Sequence, residues 1–445
     1  MLTQDENDLL TQTGPGTPCG ELLRRYWQPA ALSEELPLGG SPLPARLLGE
    51  DLVLFRDDQG RPGVVDIHCP HRGADLSYGR LEDGGIRCIY HGWLFDIQGR
   101  CLDMPGEPKG GEHKDSVCLR AYPCRERAGI IFAYLGPGDP PLLPAYEILA
   151  APEEHRFVSK VLSECNYLQG NEGNIDPVHL SFLHGIMNER LAMSGRPSEY
   201  IKVRGTDGPI NKLLGETQAP LIDVDVTDFG LRICAWRPLE NGKAYLRVSN
   251  FVMPNLCAVP GETQGAGYLV NWHVPIDDQR HWKYMMVFSR EAPLDKQRFR
   301  QRYAAEVSSD YRPMRNKENR YLQDREEMKR GSFSGFGPFF PAHDLNVTET
   351  MGAIQNRTRE HPVSSDKAIV AARKLLLKAM NDIEEGRDPA HVVRHAEANR
   401  FPHLTVISEV IPSSADWKEH TRKAEAQAAL QGMKTASNRD RSSLS

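Results

Sequence analysis

The chain has 445 residues, enough for two or three domains with sizeable buried cores. Its composition is that of a globular protein, with 40% hydrophobic residues, and its net charge of −6 argues against a nucleic acid or an anionic membrane as partner. The first residues do not resemble a signal peptide, and no apolar run approaches the ~20 residues of a membrane helix. We therefore expect a soluble, cytoplasmic protein whose nine cysteines are reduced.

The first third of the chain is predicted to change from helices to short strands. Residues 1–44 are expected to be helical, with a turn at Gly14–Pro18; a dinucleotide loop is disfavoured there because no strand precedes it and two prolines interrupt it. Residues 45–141 contain brief β-rich runs separated by Gly and Asp turns, which predict a small antiparallel domain. The Gly- and Pro-rich run Gly136–Pro141 predicts its boundary.

Residues 142–430 are predicted to form a second domain that combines strands and helices. The predicted strands are Phe157–Leu162, Leu221–Val226, Leu231–Trp236, Ala244–Val252, Tyr268–Val274 and Lys283–Phe288. The predicted helices are Leu294–Val307, Asn316–Met328, one from Ser364–Asp366 to near Gly386, and Trp417–Gln431. Residues 431–445 are Ser-, Arg- and Asn-rich, so we expect a disordered tail.

Two short stretches within residues 45–141 have the spacing of a metal-ligand set, C-x-H-x16-C-x2-H. The ligands would be Cys69, His71, Cys88 and His91. A mixed set of two cysteines and two histidines is typical of a Rieske [2Fe–2S] cluster. Zinc also accepts such a set, but zinc fingers space paired cysteines before paired histidines, whereas here each loop mixes the two.

A second candidate site has the pattern D-x2-H-x4-H at Asp176, His179 and His184. Two imidazoles and a carboxylate form the facial triad of Fe(II) oxygenases. Histidines five apart lie about 140° apart on an ideal helix, so a local distortion such as a π-bulge is needed to bring them together. The pattern alone is weak: the histidines could be an ordinary pair, and Asp176 before Pro177 could be a helix N-cap.

The third ligand should be a carboxylate far downstream. Asp344 is the most suggestive candidate, because it follows the aromatic and glycine-rich segment Phe333–Phe340. Spacing cannot select it from among 60 acidic residues.

Taken together, these motifs resemble the oxygenase (alpha) subunit of Rieske non-heme iron aromatic-ring oxygenases, in the branch of phthalate 4,5-dioxygenase and aromatic O-demethylases. The resemblance covers nearly the whole chain. It rests on six stretches: Gly14–Pro18, Arg24–Trp27, Cys69–Arg72, Tyr90–Trp93, Glu172–Asp176 and Glu349–Gly352.

The resemblance implies an α+β protein, in which residues 1–44 pack on a catalytic domain of antiparallel sheet wrapped by helices. It implies that His179, His184 and Asp344, five residues before Glu349, bind the mononuclear iron. Asp176 matches the aspartate that links a Rieske histidine of one subunit to the iron site of its neighbour. Electron transfer between subunits implies a homo-oligomer, a trimer or a hexamer.

The resemblance also implies reductive activation of dioxygen on an aromatic carboxylate. The chain has neither a nucleotide loop nor a plant-type cluster motif, so a separate flavin and iron–sulfur reductase using NADH or NADPH is predicted, with or without a ferredoxin. Arg247 and Arg204 are candidates to bind the carboxylate. Phthalate-type sequences often carry arginine after the CPHR unit, where this chain has Gly73-Ala74-Asp75. This favours O-demethylation of a methoxylated, lignin-type acid over cis-dihydroxylation; a Rieske electron carrier is the alternative from another class.

Overall fold

The computed structural model describes residues 1–108, 111–185, 203–206, 210–240, 242–261, 263, 267–337, 339–399, 401 and 404–427. Its helices are α1 (Gln4–Thr11), α2 (Pro18–Arg24), α3 (Glu147–Ala150), α4 (Tyr167–Ile175), α5 (Ile210–Glu216), α6 (Lys296–Glu306), α7 (Arg325–Arg330), α8 (Phe340–Thr350), α9 (Lys367–Glu384) and α10 (417–427). None of the helices in these ranges combines the length and the apolar character needed to cross a bilayer.

The first eleven strands form three small antiparallel sheets. They are β1 (Gln28–Leu32), β2 (Leu43–Leu47), β3 (Glu50–Arg56), β4 (Pro62–Asp66), β5 (Arg80–Glu82), β6 (Gly85–Arg87), β7 (Leu94–Asp96), β8 (Cys101–Asp103), β9 (Ala121–Tyr122), β10 (Cys124–Arg127) and β11 (Ile130–Ala133). The strand orders are β2-β3-β4-β9, β5-β6-β7-β8 and β1-β11-β10. Apolar side chains of the two four-stranded sheets, among them Phe55, Ile86 and Phe95, form a separate small core.

The remaining strands build one large antiparallel sheet. They are β12 (Arg156–Ser163), β13 (Leu221–Val226), β14 (Gly230–Pro238), β15 (Lys243–Val252), β16 (Leu256–Val259), β17 (Leu269–Asp277), β18 (Arg280–Phe288) and β19 (Ile407–Pro412). Their order is β12-β18-β17-β16-β15-β14-β13, and β19 pairs with β15 as well. Helix α4 packs on this sheet and on α8, which positions the second site. The predicted α+β class is confirmed.

The N-terminal segment contains a strand that the sequence reasoning did not predict. Helices α1 and α2 were expected, and both pack against α9 in the C-terminal part of the chain. Residues Gln28–Leu32, however, pair with β11. This run is buried throughout, and a short continuous apolar run fits a strand as well as a helix. The domain bounds at residues 44, 141 and 430 stay predictions.

The predicted helix Asn316–Met328 is wrong. Positive φ angles at Arg320, Tyr321 and Leu322 break the chain there, and only a short 3₁₀ turn forms. Asp324 then starts α7, because its carboxylate accepts N–H bonds from Glu326 and Glu327. The predicted tail and the last residues of the predicted C-terminal helix lie outside the described residues.

Candidate metal centres

Two loops of the small domain share one backbone conformation. In each, the cysteine N–H donates to the carbonyl five residues later at 2.8 Å, and the glycine four residues later donates to the cysteine carbonyl. The sets are Cys69, Gly73 and Ala74 in one loop and Cys88, Gly92 and Trp93 in the other. Gly73 and Gly92 have φ of +75° and +78°, which glycine adopts without steric cost. The second loop is the β6–β7 hairpin, whereas the first links two sheets.

The side chains of these loops fit the donor set of an iron–sulfur cluster. The rings of His71 and His91 lie 4.5 Å apart, and Cys69 and Cys88 are buried. Burial raises the pKa of Cys69 to about 11; the N–H groups of His71 and Arg72 oppose this rise, and the adjacent Cys88 adds to it. Within the described ranges, Nδ1 of His71 is buried without a hydrogen-bond partner. A buried ring nitrogen without a partner, beside two buried thiols, fits a Rieske cluster.

Neighbouring side chains hold these loops in place. Trp93 stacks on His71 with ring centroids 4.3 Å apart and planes only 7° apart. Arg87 donates to the carbonyl of Gly92 at 2.7 Å and to the carboxylate of Asp103 at 2.8 Å. Such partners around a metal site fix the orientation of the ligands.

His179, His184 and Asp344 form the second group. Each of the three offers one ligand atom, and these atoms all lie within 4.8 Å of one another. In the described part of the chain, no other group of three His, Cys, Asp or Glu side chains meets this condition. Nε2 of His184 is 3.1 Å, and Nε2 of His179 3.9 Å, from Oδ1 of Asp344. Two imidazoles and a carboxylate at this spacing suit a facial Fe(II) site with open positions.

The two histidines converge without the predicted π-bulge, because the chain is not an α-helix there. Helix α4 ends at Ile175, and His179 starts a single 3₁₀ turn that ends at Ser181. Asp176 follows α4 as its C-cap rather than opening a helix as an N-cap. Its Oδ1 accepts the N–H of Val178 at 2.7 Å, which stabilises the turn that leads to His179.

The charges around the triad keep the carboxylate ionised. Burial alone would raise the pKa of Asp344. Lys283 and His184 lower this pKa by more than burial raises it, so the net pKa lies far below its ordinary value. Nζ of Lys283, itself buried, is 3.4 Å from Oδ2 of Asp344. Burial lowers the pKa of His184 despite Asp344, which favours the neutral imidazole that metal binding requires.

Asp176 lies beside the first histidine of the triad. Its Oδ2 is 3.7 Å from Nδ1 of His179, and that nitrogen is 2.7 Å from the Asp176 carbonyl oxygen. Burial alone would lower the pKa of His179, but Asp176 and Asp344 raise it above its ordinary value. A ligand histidine oriented by a carbonyl and a carboxylate is common in metal sites.

A cavity opens beside the triad, between α4, α8 and one face of the large sheet. Its wall is largely apolar, with Leu180, Leu214, Val259, Leu269, Met285 and Val287. Its polar lining, besides the triad, includes Asn174, Asn271, Arg247, Lys283 and Arg302. An apolar cavity with a few polar groups is suited to a small aromatic ligand.

The structure separates the two predicted carboxylate-binding arginines. Arg247, on β15, is 8% exposed, lines the cavity and forms no ion pair with any described residue. The side chain of Arg204 is 60% exposed and pairs with Glu409 at 3.2 Å; it does not belong to the described lining. The backbone of Arg204 forms an isolated bridge to β19 at the same Glu409.

Sequence reasoning missed four polar residues of this cavity, namely Asn174, Asn271, Lys283 and Arg302. Lys283 interrupts the otherwise apolar run Trp282–Phe288 of β18, and a lysine that is itself buried needs an anionic partner. That interruption was the available signal. Asn174 lies inside the motif Glu172–Asp176, but no role was assigned to it.

Comparison with family models divides the chain in two. Residues 26–123 match the Rieske [2Fe-2S] domain. Residues 133–440 match the family described as LigXa C-terminal domain like.

Characterised proteins match over nearly the full length. The phthalate 4,5-dioxygenase oxygenase subunit of Pseudomonas putida is 35% identical over 94% of this chain and 95% of its own length. The 5,5'-dehydrodivanillate O-demethylase oxygenase subunit of Sphingobium sp. is 33% identical over 92% of this chain and 87% of its own. A carbazole 1,9a-dioxygenase oxygenase, solved with its ferredoxin, has the same fold: its TM-score is 0.54 at 21% identity, over 87% of this chain and 94% of its own.

Proposed function

Because this chain belongs to the Rieske non-heme iron oxygenases, as an oxygenase subunit, we propose that it demethylates a methoxylated, lignin-type aromatic acid, of the kind represented by 5,5'-dehydrodivanillate. The observation that carries the proposal is Arg247, a buried cation without an ion-pair partner among the described residues, in the wall of the cavity that holds the triad. A guanidinium there can bind a carboxylate with two parallel N–H bonds. The apolar walls would hold the ring, so that a ring substituent faces the triad.

We propose that Cys69, His71, Cys88 and His91 hold the cluster. The iron ligands would be His179, His184 and Asp344. When bound, the cluster supplies single electrons and the Fe(II) supplies reductive activation of dioxygen. Hydroxylation of a methoxy carbon yields a hemiacetal, which releases formaldehyde and leaves a phenol.

We further propose that electrons come from a separate NAD(P)H reductase and pass between subunits of a trimer or hexamer, through Asp176. The loops that carry the cluster ligands lie at the surface: Ile89 is 62% and Tyr90 55% exposed. The side chain of Asp176 is 26% exposed, so a second subunit could reach it. An exposed apolar pair beside a redox site suits a protein contact.

Mixing two inactive variants tests the transfer between subunits. Cys69→Ser should remove the cluster and Asp344→Asn the mononuclear iron. If electrons cross between subunits, refolded or co-expressed mixtures should regain activity that neither variant has. Mixtures that stay inactive although mixed oligomers form, as shown by native mass spectrometry, would refute the transfer.

Ring dihydroxylation is the second candidate. It is favoured by the match to the Pseudomonas putida phthalate 4,5-dioxygenase subunit, which is slightly more extensive than the match to the demethylase. The same triad and cavity could serve it, with addition of both oxygen atoms to the ring. The electron carrier considered above is excluded, because the enzyme relatives cover the C-terminal part as well.

Product analysis under ¹⁸O₂ separates the two candidates. The purified chain, a compatible reductase and NADH would be supplied with methoxylated and phthalate-type acids. Demethylation predicts formaldehyde and a phenol that retains its unlabelled methoxy oxygen. A cis-diol with two labelled oxygens would establish the dioxygenase and refute the demethylase.

A further inference from the structure

A chain of buried hydrogen bonds joins the large sheet to the cavity. His281 on β18 lies 2.8 Å, through Nδ1, from the carbonyl oxygen of Cys165. Nε2 of His281 is 2.9 Å from Nδ1 of His273 on β17. Nε2 of His273 is in turn 2.9 Å from Oδ1 of Asn174, whose side-chain amide lines the cavity.

The carbonyl at one end determines every donor in the chain. A carbonyl oxygen can only accept, so Nδ1 of His281 carries the proton and its Nε2 is an acceptor. Nδ1 of His273 must therefore donate to His281, which leaves Nε2 of His273 as an acceptor. Only the amide nitrogen of Asn174 can donate to that atom.

This reasoning requires both imidazoles to be neutral. Each is 1% exposed. Burial lowers the pKa of His281 to about 4, and burial together with His281 and Lys283 holds the pKa of His273 well below its ordinary value. A Cβ at Gly170 would lie 2.3 Å from Nδ1 of His273, so the backbone of α4 confines the pair.

The amide oxygen of Asn174 is consequently the atom available to the cavity. Amide oxygen and nitrogen have nearly the same shape, so the hydrogen-bond network decides which of them faces the ring of His273. With Nε2 of His273 as an acceptor, the network requires the amide to be flipped, so that Nδ2 replaces Oδ1 beside the ring. An oxygen held in this way offers lone pairs to an O–H group. It cannot donate to a carboxylate.

We propose that the Asn174 amide oxygen accepts a hydrogen bond from a hydroxyl group of the aromatic substrate, and that His273 and His281 are positioning residues that hold it in this orientation. The proposal rests on the proposed function, because it assumes that an aromatic acid occupies this cavity. It narrows the substrate class to phenolic acids. Phthalate carries only acceptors at neutral pH and leaves the Asn174 oxygen unpaired.

Anaerobic calorimetry on the holoenzyme tests the proposal with matched pairs of acids. The probes are 3-methoxybenzoate and its hydroxylated derivatives, and phthalate and 4-hydroxyphthalate. A site built to bind a hydroxyl discriminates against the analogue that lacks it, because a buried acceptor is then left unsatisfied. We expect the best hydroxylated member to bind about ten- to a hundredfold more tightly than its parent.

Variants assign this preference to Asn174. In Asn174→Leu the ratio should fall to about one. His281→Gln keeps a donor to the Cys165 carbonyl and an acceptor for His273, so it should retain the binding ratio. His281→Leu should reduce the ratio to a few-fold, because His273 can then change tautomer and the Asn174 amide can turn its nitrogen towards the cavity. Asn271→Leu removes another cavity amide outside the chain and should leave the ratio intact.

Several outcomes overturn the inference. One is an unchanged ratio in Asn174→Leu, and another is a ratio that collapses only in Asn271→Leu. If Asn174→Leu weakened the binding of hydroxylated and parent acids equally, the Asn174 amide oxygen would bind a water molecule rather than the substrate hydroxyl. Formaldehyde release with a wild-type ratio near one refutes the inference alone, whereas a hydroxyl preference without demethylation refutes only the proposed function.

Discussion

Replacing Arg247 with glutamine is expected to weaken the binding of an aromatic acid selectively. The side chain is 8% exposed and has no competing ion pair with a described residue, so a bound carboxylate would be its only strong partner. Hydrogen bonds to charged groups contribute about 1.5–3 kcal/mol. Since about 1.4 kcal/mol corresponds to tenfold, Kd should rise about 10- to 150-fold.

Calorimetry under anaerobic conditions would measure this change without turnover, with the acid and its uncharged methyl ester as ligands. The ester should bind both proteins with similar affinity. Arg204→Gln is the matched control, because that side chain is exposed and paired with Glu409, and it should leave Kd unchanged. Equal losses for acid and ester, or an equal effect of both variants, would refute a carboxylate contact at Arg247.

Three further variants probe the framework. Glu172→Gln breaks a buried cluster with Arg357 at 2.7 Å and Arg373 at 2.6 Å, and should cost about 3–5 kcal/mol in urea unfolding. These arginines hold the pKa of Glu172 below its ordinary 4.5 despite burial. The contribution of Glu172 to the stability of the fold is therefore complete above about pH 4.5 and is lost as the pH falls through the lowered pKa. The variant should flatten this dependence of stability on acid pH. Asp344→Asn should remove about one iron per chain in metal analysis and leave the cluster spectrum unchanged. Asp176→Asn should keep all iron but slow cluster reoxidation by dioxygen in stopped-flow measurements; an unchanged rate would contradict its role in electron transfer.

The two metal sites differ in how far the sequence predicts them. The cluster loops are local: each cysteine, histidine and positive-φ glycine lies within five residues, so the pattern itself encodes the geometry. The mononuclear site is assembled from distant parts. Spacing could not select Asp344; its place after the aromatic segment suggested it, and the resemblance supplied its role. The structure then placed it 3.1 Å from His184.

Tertiary packing explains what the sequence could not predict. Strands β15 and β18, which carry Arg247 and Lys283, are both almost entirely buried. Their sequences do not show which of their side chains face the cavity, because the register of the sheet decides this. The hydrogen-bond chain from Cys165 to Asn174 joins three elements, and none of its members has a local signature. The strand at Gln28–Leu32 was missed because its partner β11 lies about 100 residues away.

The separation of the two ligand sets along the chain has a consequence for biosynthesis. All proposed cluster ligands lie between residues 69 and 91, beside sheets whose strands all precede residue 123, whereas Asp344 is synthesised about 250 residues later. Domains fold as they leave the ribosome, N-terminal parts first. The small domain can therefore receive its iron and sulfide while translation continues, and the triad can bind a metal only near the end. We therefore expect the cluster to be loaded before the mononuclear iron.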